Sequence, residues 1–243
     1  MVALALYELF ESQQKRGIII LKKLLKDIGD EVKQFVTGKT IDAVFPPILY
    51  ITGNSIFGLK IGIILAISVA ILMSIFRAIK KQSILYALGG IGGVIIASGF
   101  ALLSDNAANY FLPKVITSGL LFLVSLVSIL AGRPLAALLS HLARGWEFDW
   151  FQRKDIKPAY TEVTIAWAIL FLFRMTIQFI IFKEGNLVKL GWANILLGFP
   201  TTLGVLILTL IYGIWRLKNL GGPGIDEFRE GKEPPWIGQR KGF

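Results

Sequence analysis

A chain of 243 residues that is 54% hydrophobic and only 17% charged is too apolar for a soluble domain of this length. It contains no cysteine, which excludes a disulfide framework, an iron–sulfur site and a thiol nucleophile. We interpret the net charge of +10 as charge that orients membrane segments and attracts anionic lipids of the bilayer, and not as a nucleic-acid-binding surface.

Residues 1–40 are predicted to form a cytoplasmic segment with an amphipathic helix over 17–37. Ile18, Leu21, Leu25 and Ile28 recur every three or four residues and therefore share one face of that helix. A basic helix of this kind lies on the membrane surface or binds a partner helix, and both interpretations stay open.

Six apolar runs follow, and they predict an all-α membrane protein. Each run has about 16 to 26 residues, and a helix of roughly 20 residues crosses about 30 Å of hydrocarbon. We therefore expect a bundle of six transmembrane helices over 41–216 and an extended, Gly/Pro-rich cytoplasmic tail over 217–243. The six runs are 43–59, 61–76, 84–103, 112–131, 161–182 and 190–215.

The distribution of Lys and Arg predicts how these helices are oriented. If the chain turns between Gly58 and Lys60, one side of the membrane holds 21 of the 26 Lys and Arg residues. The positive-inside rule then places both termini in the cytoplasm, and we expect a bacterial inner membrane. One long helix over 43–76 would break this asymmetry, so two helices are predicted there. The side of the membrane opposite the 21 Lys and Arg residues holds only Lys60, Lys114, Lys183 and Lys189.

Two cytoplasmic segments carry aromatic residues beside charges. In the connection 132–160, residues 134–144 are predicted to form a short interfacial helix, and Trp146 and Trp150 are predicted to join an aromatic belt at the membrane boundary. Gly and Pro exclude a long helix in the tail, so the tail is expected to be disordered unless something holds it. Pro235 and Trp236 are its candidate partner-binding residues.

Arg174 is the most informative single residue, because it lies inside the fifth run with no charged neighbour in sequence. A central Arg costs about 2.5–3.5 kcal/mol on insertion scales, so it is expected to face the bundle and a partner. Trp167 and Gln178 share its helix face. Either Arg174 binds an anionic ligand, or it is a structural tie to Asp105 or to carbonyl groups of a neighbouring helix. Asp105 and Asn109 belong to a group of polar residues expected near the outer side of the membrane.

No catalytic, metal-binding or cofactor-binding pattern stands out. Apart from Arg174, the interiors of the six runs contain no charged residue and no histidine, whereas proton-coupled carriers generally need a titratable relay. The single histidine, His141, is interpreted as a surface residue. Gly89, Gly93 and Ala97 follow one another at a spacing of four and predict a groove for close helix packing.

Several short patterns resemble a known family. They are Tyr110-Phe-Leu-Pro113, Gly132-Arg-Pro-Leu135, the span from Ala159 through Trp167 to Arg174 and Gln178, and Leu197-Gly-Phe-Pro200. In this order they resemble an uncharacterised bacterial family of six-helix membrane proteins, which is more distantly similar to the intracellular septation protein A family. The resemblance covers roughly 40–215, and Arg133 and Arg174 match its motif positions. It implies a role in envelope maintenance through contacts with cell-division and elongation proteins.

The function expected from the sequence is therefore that of a non-enzymatic accessory or scaffolding subunit of a membrane complex or envelope machinery. The helix 17–37 and the tail 221–243 would bind its partner, another membrane protein or complex. The alternative is a transporter or lipid-handling protein that binds an anionic group at Arg174. A third hypothesis, a membrane enzyme or pigment-binding subunit, depends on His141 and the many aromatic residues.

Overall fold

The computed structural model describes residues 39–80, 84–239 and 242–243 of the chain, and these ranges contain helices and no β-strand. The amphipathic helix predicted over 17–37, with Ile18, Leu21, Leu25 and Ile28, lies outside the described residues. The helices are α1 (Lys39–Phe57), α2 (Leu59–Ile79), α3 (Ile84–Leu103), a 3₁₀ helix (Ala107–Phe111), α4 (Leu112–Leu130), α5 (Leu135–Arg144), α6 (Phe148–Gln152), α7 (Lys157–Lys183), α8 (Leu187–Leu196), α9 (Phe199–Leu220) and α10 (Ile225–Arg229).

Four helical segments of the described chain are long and apolar enough to cross a membrane, which indicates a multi-pass membrane protein. The sequence predicts six crossings. Helices α1 and α3 occupy the positions of the other two, but α1 is not among the four and α3 has a shorter apolar part, Leu88–Leu103. The four segments are Leu59–Ile79, Ala107–Leu130, Lys157–Lys183 and Leu187–Leu220.

The predicted turn between the first two apolar runs is confirmed. Helix α1 ends at Phe57, α2 begins at Leu59, and Gly58 between them has φ +84°, a left-handed conformation that Gly adopts without strain. The two helices then pack closely, because a Cβ atom at Gly62 would lie 2.8 Å from the carbonyl oxygen of Tyr50. A small residue at this crossing lets the two backbones approach.

Two aromatic clusters fix the two ends of the helix bundle. We call the end with residues 131–156 and the tail 221–243 the basic end; Trp150 and Tyr160 are fully buried there. At the opposite end, Tyr50 stacks on Tyr110 at 3.9 Å and donates a hydrogen bond of 2.8 Å to the carbonyl oxygen of Ala107. Helix α7, with 27 residues or about 40 Å, connects the two clusters.

The short helix predicted over 134–144 is confirmed as α5, which ends at Gly145 in a left-handed conformation. The predicted aromatic belt is wrong for its central residues. Trp150 is fully buried, and its indole N–H donates to the carbonyl oxygen of Pro223, 73 residues further along the chain. Trp146 is also buried, so these rings form the core of the basic end and do not face lipid.

The tail is less extended than the sequence predicts, because it forms α10 and packs on the chain itself. The Glu227 carboxylate holds its shape by accepting hydrogen bonds from the backbone N–H groups of Gly224, Ile237 and Gly238 at 2.8 to 3.0 Å. The Arg153 guanidinium lies over the Trp236 ring, 5.1 Å from its centre. Arg229 of the tail also forms an ion pair with Glu147. Pro235 is exposed.

The small-residue groove predicted on α3 is used only in part within the described chain. Ala97 is buried in the cluster at the opposite end. Gly89 and Gly93 are exposed, and a Cβ atom at either position would meet no atom within 4 Å. Close packing at these two glycines therefore does not occur in the described structure.

The first prediction concerns pH and the tail. Hydrogen bonds from the backbone N–H groups of Ile237 and Gly224 lower the pKa of Glu227. A lowered pKa in the folded state stabilises the docked tail above the usual glutamate pKa, and this contribution is lost as the pH falls through the folded pKa. Hydrogen exchange at Ile237 and Gly238, corrected for its intrinsic pH dependence, should therefore accelerate below a pH of about 4.

At neutral pH, Glu227→Gln should accelerate the same exchange. Glu230→Gln is the matched control, because the described ion pair of Glu230 is with exposed Lys232 on the surface of the tail. Equal protection in Glu227→Gln and the wild type would show that the carboxylate does not hold the tail.

Candidate anion-binding site

Arg174 lies on α7, nine residues or about 13 Å before the end of this helix at Lys183. The sequence predicts that one face of α7 carries Arg174 together with aromatic and polar residues. The burial of that face confirms this, since Thr164 and Gln178 are buried and Arg174 is half-buried. Trp167, also half-buried, lies on the same face.

Opposite Arg174, the last apolar segment is interrupted. Helix α8 ends at Leu196 and α9 begins at Phe199, and Gly198 between them has φ −76° and ψ −118°, outside helical values. A Cβ atom at Gly198 would overlap the Asn194 carbonyl oxygen, and Pro200 has no N–H to continue the helix. The break therefore leaves backbone groups that hydrocarbon cannot hydrogen-bond.

Side chains satisfy part of this break. Arg174 Nη2 donates to Thr202 Oγ1 at 2.8 Å and to the Gly198 carbonyl oxygen at 3.3 Å, and Thr202 Oγ1 donates to the same carbonyl at 2.7 Å. Thr201 Oγ1 donates to the Leu196 carbonyl oxygen at 2.6 Å. Of the two ties that the sequence suggests for Arg174, the structure shows the one to carbonyl groups of a neighbouring helix.

The hydrogen bonds of Arg174 do not neutralise its positive charge. No carboxylate forms an ion pair with it in the described chain, and its Nε is buried without a hydrogen-bond partner. Exposed Lys114 lies on α4, which packs on α7 beside Arg174, since a Cβ atom at Gly119 would lie 2.9 Å from Met175 Sδ. The positive charges of Lys114 and Arg174 repel each other. By contrast, Arg216 on α9 forms a bidentate ion pair with Glu162 on α7 at 2.8 and 2.9 Å.

Two amide side chains continue the contact between α7 and α8, one turn beyond Arg174. Gln178 Nε2 donates to Asn194 Oδ1 at 3.2 Å, and Asn194 Nδ2 donates to the Leu190 carbonyl oxygen at 2.9 Å. Gln178 Oε1 is buried without a partner. Arg174 and Gln178 are four residues apart, as are Asn194 and Gly198, so the two helices meet through matched polar positions.

The structure does not bring all predicted site residues to Arg174. Asp105 is exposed in the connection before the 3₁₀ helix, with φ +47°, and forms no ion pair with Arg174. Asn109 is half-buried within the 3₁₀ helix, where its backbone N–H donates to Asn106. Trp167 lies seven residues before Arg174, about 10 Å along α7. The predicted tie to Asp105 is therefore wrong.

Three residues of the site are missed by the sequence analysis. Lys114 is interpreted there only as a charge on the outer side, and Gly198 and Thr202 are read as part of one uninterrupted run. Pro200 is the sequence feature that indicates the helix break at Gly198, because a proline inside an apolar run disfavours helix at the preceding residues.

His141 has a local role in the basic end. Its Nδ1 forms a hydrogen bond with the Trp146 carbonyl oxygen, and its ring meets the Phe148 ring edge to face at 5.6 Å. These contacts join α5 to α6.

Comparisons with known proteins give the family and no activity. The family model described as "Protein of unknown function (DUF3159)" matches residues 37–218, which is most of the chain, so the chain belongs to this family. No curated protein and no solved structure matches the chain. The more distant similarity to the intracellular septation protein A family stays a prediction.

The second prediction concerns the amide pair. Asn194→Leu and Gln178→Leu each remove the same interhelical hydrogen bond, so a double-mutant cycle should give a coupling free energy of about 0.6–1.7 kcal/mol. The measurement is the free energy of unfolding in mixed micelles with increasing denaturing detergent. Gln178→Leu combined with Thr161→Val is the control, because these residues are about 25 Å apart along α7, and it should be additive within about 0.5 kcal/mol. A coupling of zero between 178 and 194 would show that the two side chains do not interact.

Proposed function

We propose that this member of the DUF3159 family binds an anionic group at Lys114 and Arg174 within the membrane and acts as a transport or lipid-handling protein. The observation that carries this proposal is the presence on apolar helices of two repelling positive charges for which the described residues provide no carboxylate partner. An uncompensated cation at this depth is costly, and an anion would remove both the repulsion and the cost.

The hydrogen bonds of Arg174 are compatible with an additional ligand. Among the described residues, only Nη2 of its guanidinium donates a hydrogen bond, and Nε is buried without a partner. A guanidinium binds carboxylate or phosphate oxygens through two parallel donors. The positive end of the α9 helix dipole favours negative charge in the same region.

We further propose six crossings, with α1 and α3 as the additional two, and both termini in the cytoplasm of a bacterial inner membrane. This arrangement is supported by the uneven distribution of Lys and Arg, 21 against four. Packing of α1 and α3 against α2 also supports it. Lys114 and Arg174 would then lie in the outer half of the membrane.

A second candidate function is the accessory subunit that the sequence favours. Its support is the folded surface of the tail, on which Pro235 and Ile237 are exposed, Ile237 by 67%. Part of the tail's aromatic surface already contacts the chain itself through Arg153 and Trp236. The uncompensated charges have no explanation in this function, and we therefore rank it second.

The third prediction tests the ligand. The full-length protein is purified in nanodiscs formed directly from membranes, and retained small molecules and lipids are identified by mass spectrometry. An anionic compound should be retained by the wild type and lost from Arg174→Gln, with a decrease of about tenfold in affinity corresponding to 1.4 kcal/mol. Arg174→Lys keeps the positive charge and should therefore retain part of the bound anionic compound.

Lys60→Leu is the matched control for Lys114→Leu, because both are exposed lysines in the first turn of an apolar helix. Of these two variants, only Lys114→Leu should weaken the retention of the anionic compound. Identical retention in all variants would contradict the proposal. A stoichiometric protein subunit that every variant retains, and that is lost on deletion of 221–243, would favour the accessory subunit.

The fourth prediction tests the crossings. The chain has no cysteine, so single-cysteine variants give labelling without background. In intact cells, a membrane-impermeant maleimide should label Lys60→Cys and Asp105→Cys, and it should label Ser12→Cys and Gln82→Cys only after permeabilisation. Labelling of Gln82→Cys in intact cells, or of Ser12→Cys, would exclude six crossings with a cytoplasmic N-terminus.

A further inference from the structure

A groove of about 440 Å³ lies between α4, α5, α7 and α9, a volume within the range of small-molecule sites. Its open side carries Leu139 of α5, which is 57% exposed. Helices α4, α7 and α9 belong to segments long and apolar enough to cross a membrane, whereas α5 belongs to the basic end. The walls are formed mainly by Leu121, Val163, Trp167, Phe171, Leu206 and Leu210.

Apart from Ser140 and Arg144 of α5, which belong to the basic end, the polar side chains on the wall are already used within the protein. Ser125 Oγ, Thr164 Oγ1 and Thr209 Oγ1 each donate to a carbonyl oxygen four residues earlier in their own helix, at 2.7 Å. The surface left for a ligand at these positions consists of methyl and methylene groups. Such a surface favours a hydrocarbon chain and offers little to a sugar or a nucleotide.

One end of the groove lies about one helical turn from Arg174, which is not itself part of the wall. Phe171 at its far end precedes Arg174 by three residues, about 4.5 Å along α7, and Leu206 follows Thr202 by four residues, about 6 Å along α9. Thr164, Trp167, Phe171 and Arg174 share one face of α7. The apolar wall of the groove and the positive charge of Arg174 are therefore about one helical turn apart along α7.

The other end of the groove is narrowed by Phe243. Its ring stacks on Tyr160 at 4.2 Å and fills the space beside Gly213, where a Cβ atom would overlap the ring. A chain that enters the groove beside Arg174 therefore extends toward the basic end and stops at this ring.

We propose that the groove holds a hydrocarbon chain of an anionic phospholipid whose phosphate lies at Lys114 and Arg174. This inference rests on the proposed function and narrows its ligand from an anion of any kind to a lipid with a phosphate head group. An ammonium and a guanidinium both donate to phosphate oxygens, and the groove supplies the apolar surface for the chain. A water-soluble anion would use only the charges and leave the groove to bulk lipid.

The experiment uses the full-length protein in phosphatidylcholine nanodiscs that contain a phosphatidylglycerol with a photoactivatable group near the end of one acyl chain. After irradiation, cross-linked residues are located by mass spectrometry. Cross-links are expected in the groove, on α7 between 163 and 171 and on α9 between 206 and 210. Leu206→Trp fills the groove and should lower this labelling about tenfold.

Leu208→Trp is the matched control, because Leu208 is on the same helix but 67% exposed, outside the groove. It should label as the wild type does, and Arg174→Gln should lose labelling. A photoactivatable fatty acid of equal chain length should label less than the phospholipid. Labelling spread evenly over the lipid-facing helices of the wild type, or equal groove labelling by the fatty acid, would overturn the proposal, whether or not Leu206→Trp folds.

The failure of this inference can be separated from failure of the proposed function by a soluble probe. Glycerol 1-phosphate carries the phosphate without a hydrocarbon chain, and its binding is measured as an increase in thermal stability. If Lys114 and Arg174 variants abolish this increase while the lipid does not label the groove, only the lipid assignment is wrong. If neither probe depends on Lys114 or Arg174, the anion site itself is wrong.

Discussion

Backbone groups inside hydrocarbon must find their hydrogen bonds within the protein, and the contact between α7 and the α8–α9 break depends on this constraint. The chain interrupts a helix at Gly198, where Pro200 cannot continue the bonding pattern. The hydroxyl groups of Thr201 and Thr202 donate hydrogen bonds to backbone carbonyl groups at the break. Arg174 on the neighbouring helix donates a hydrogen bond from Nη2 to Thr202 Oγ1. A break that would be costly in an isolated helix thus becomes a fixed contact between two helices.

Hydrogen bonding and charge are satisfied to different degrees at this contact. Among the described residues, Arg174 has two hydrogen-bond acceptors but no carboxylate partner, whereas Arg216 has both carboxylate oxygens of Glu162. The sequence presents a structural tie and a ligand site as alternatives for Arg174. The geometry makes them compatible, because one nitrogen supports the break and the positive charge, increased by Lys114 nearby, is left for an anion.

The basic end shows how distant parts of the chain combine into one core. Trp150 and Phe151 come from α6 and Tyr160 from the start of α7, whereas Ile225 and Phe243 come from the tail. A sequence reading assigns such aromatic residues to the membrane boundary, since their neighbours in sequence are charged. The indole of Trp150 finds its acceptor on Pro223 instead, and a contact over 73 residues leaves no local pattern that a sequence analysis can detect.

The sequence by itself determined the helical class, the membrane setting, the turn at Gly58, the short helix after Pro134 and the shared face of α7, because hydrophobic period, segment length and proline and glycine act locally. Only the tertiary structure decided which groups meet. It joined Arg174 to Gly198 and Thr202, brought Lys114 close, left Asp105 and Asn109 elsewhere and opened a groove beside Phe171. These outcomes depend on how each helix is rotated and at what depth it lies relative to its neighbours. The hydrophobic period of the sequence does not determine this arrangement, whereas side-chain packing does.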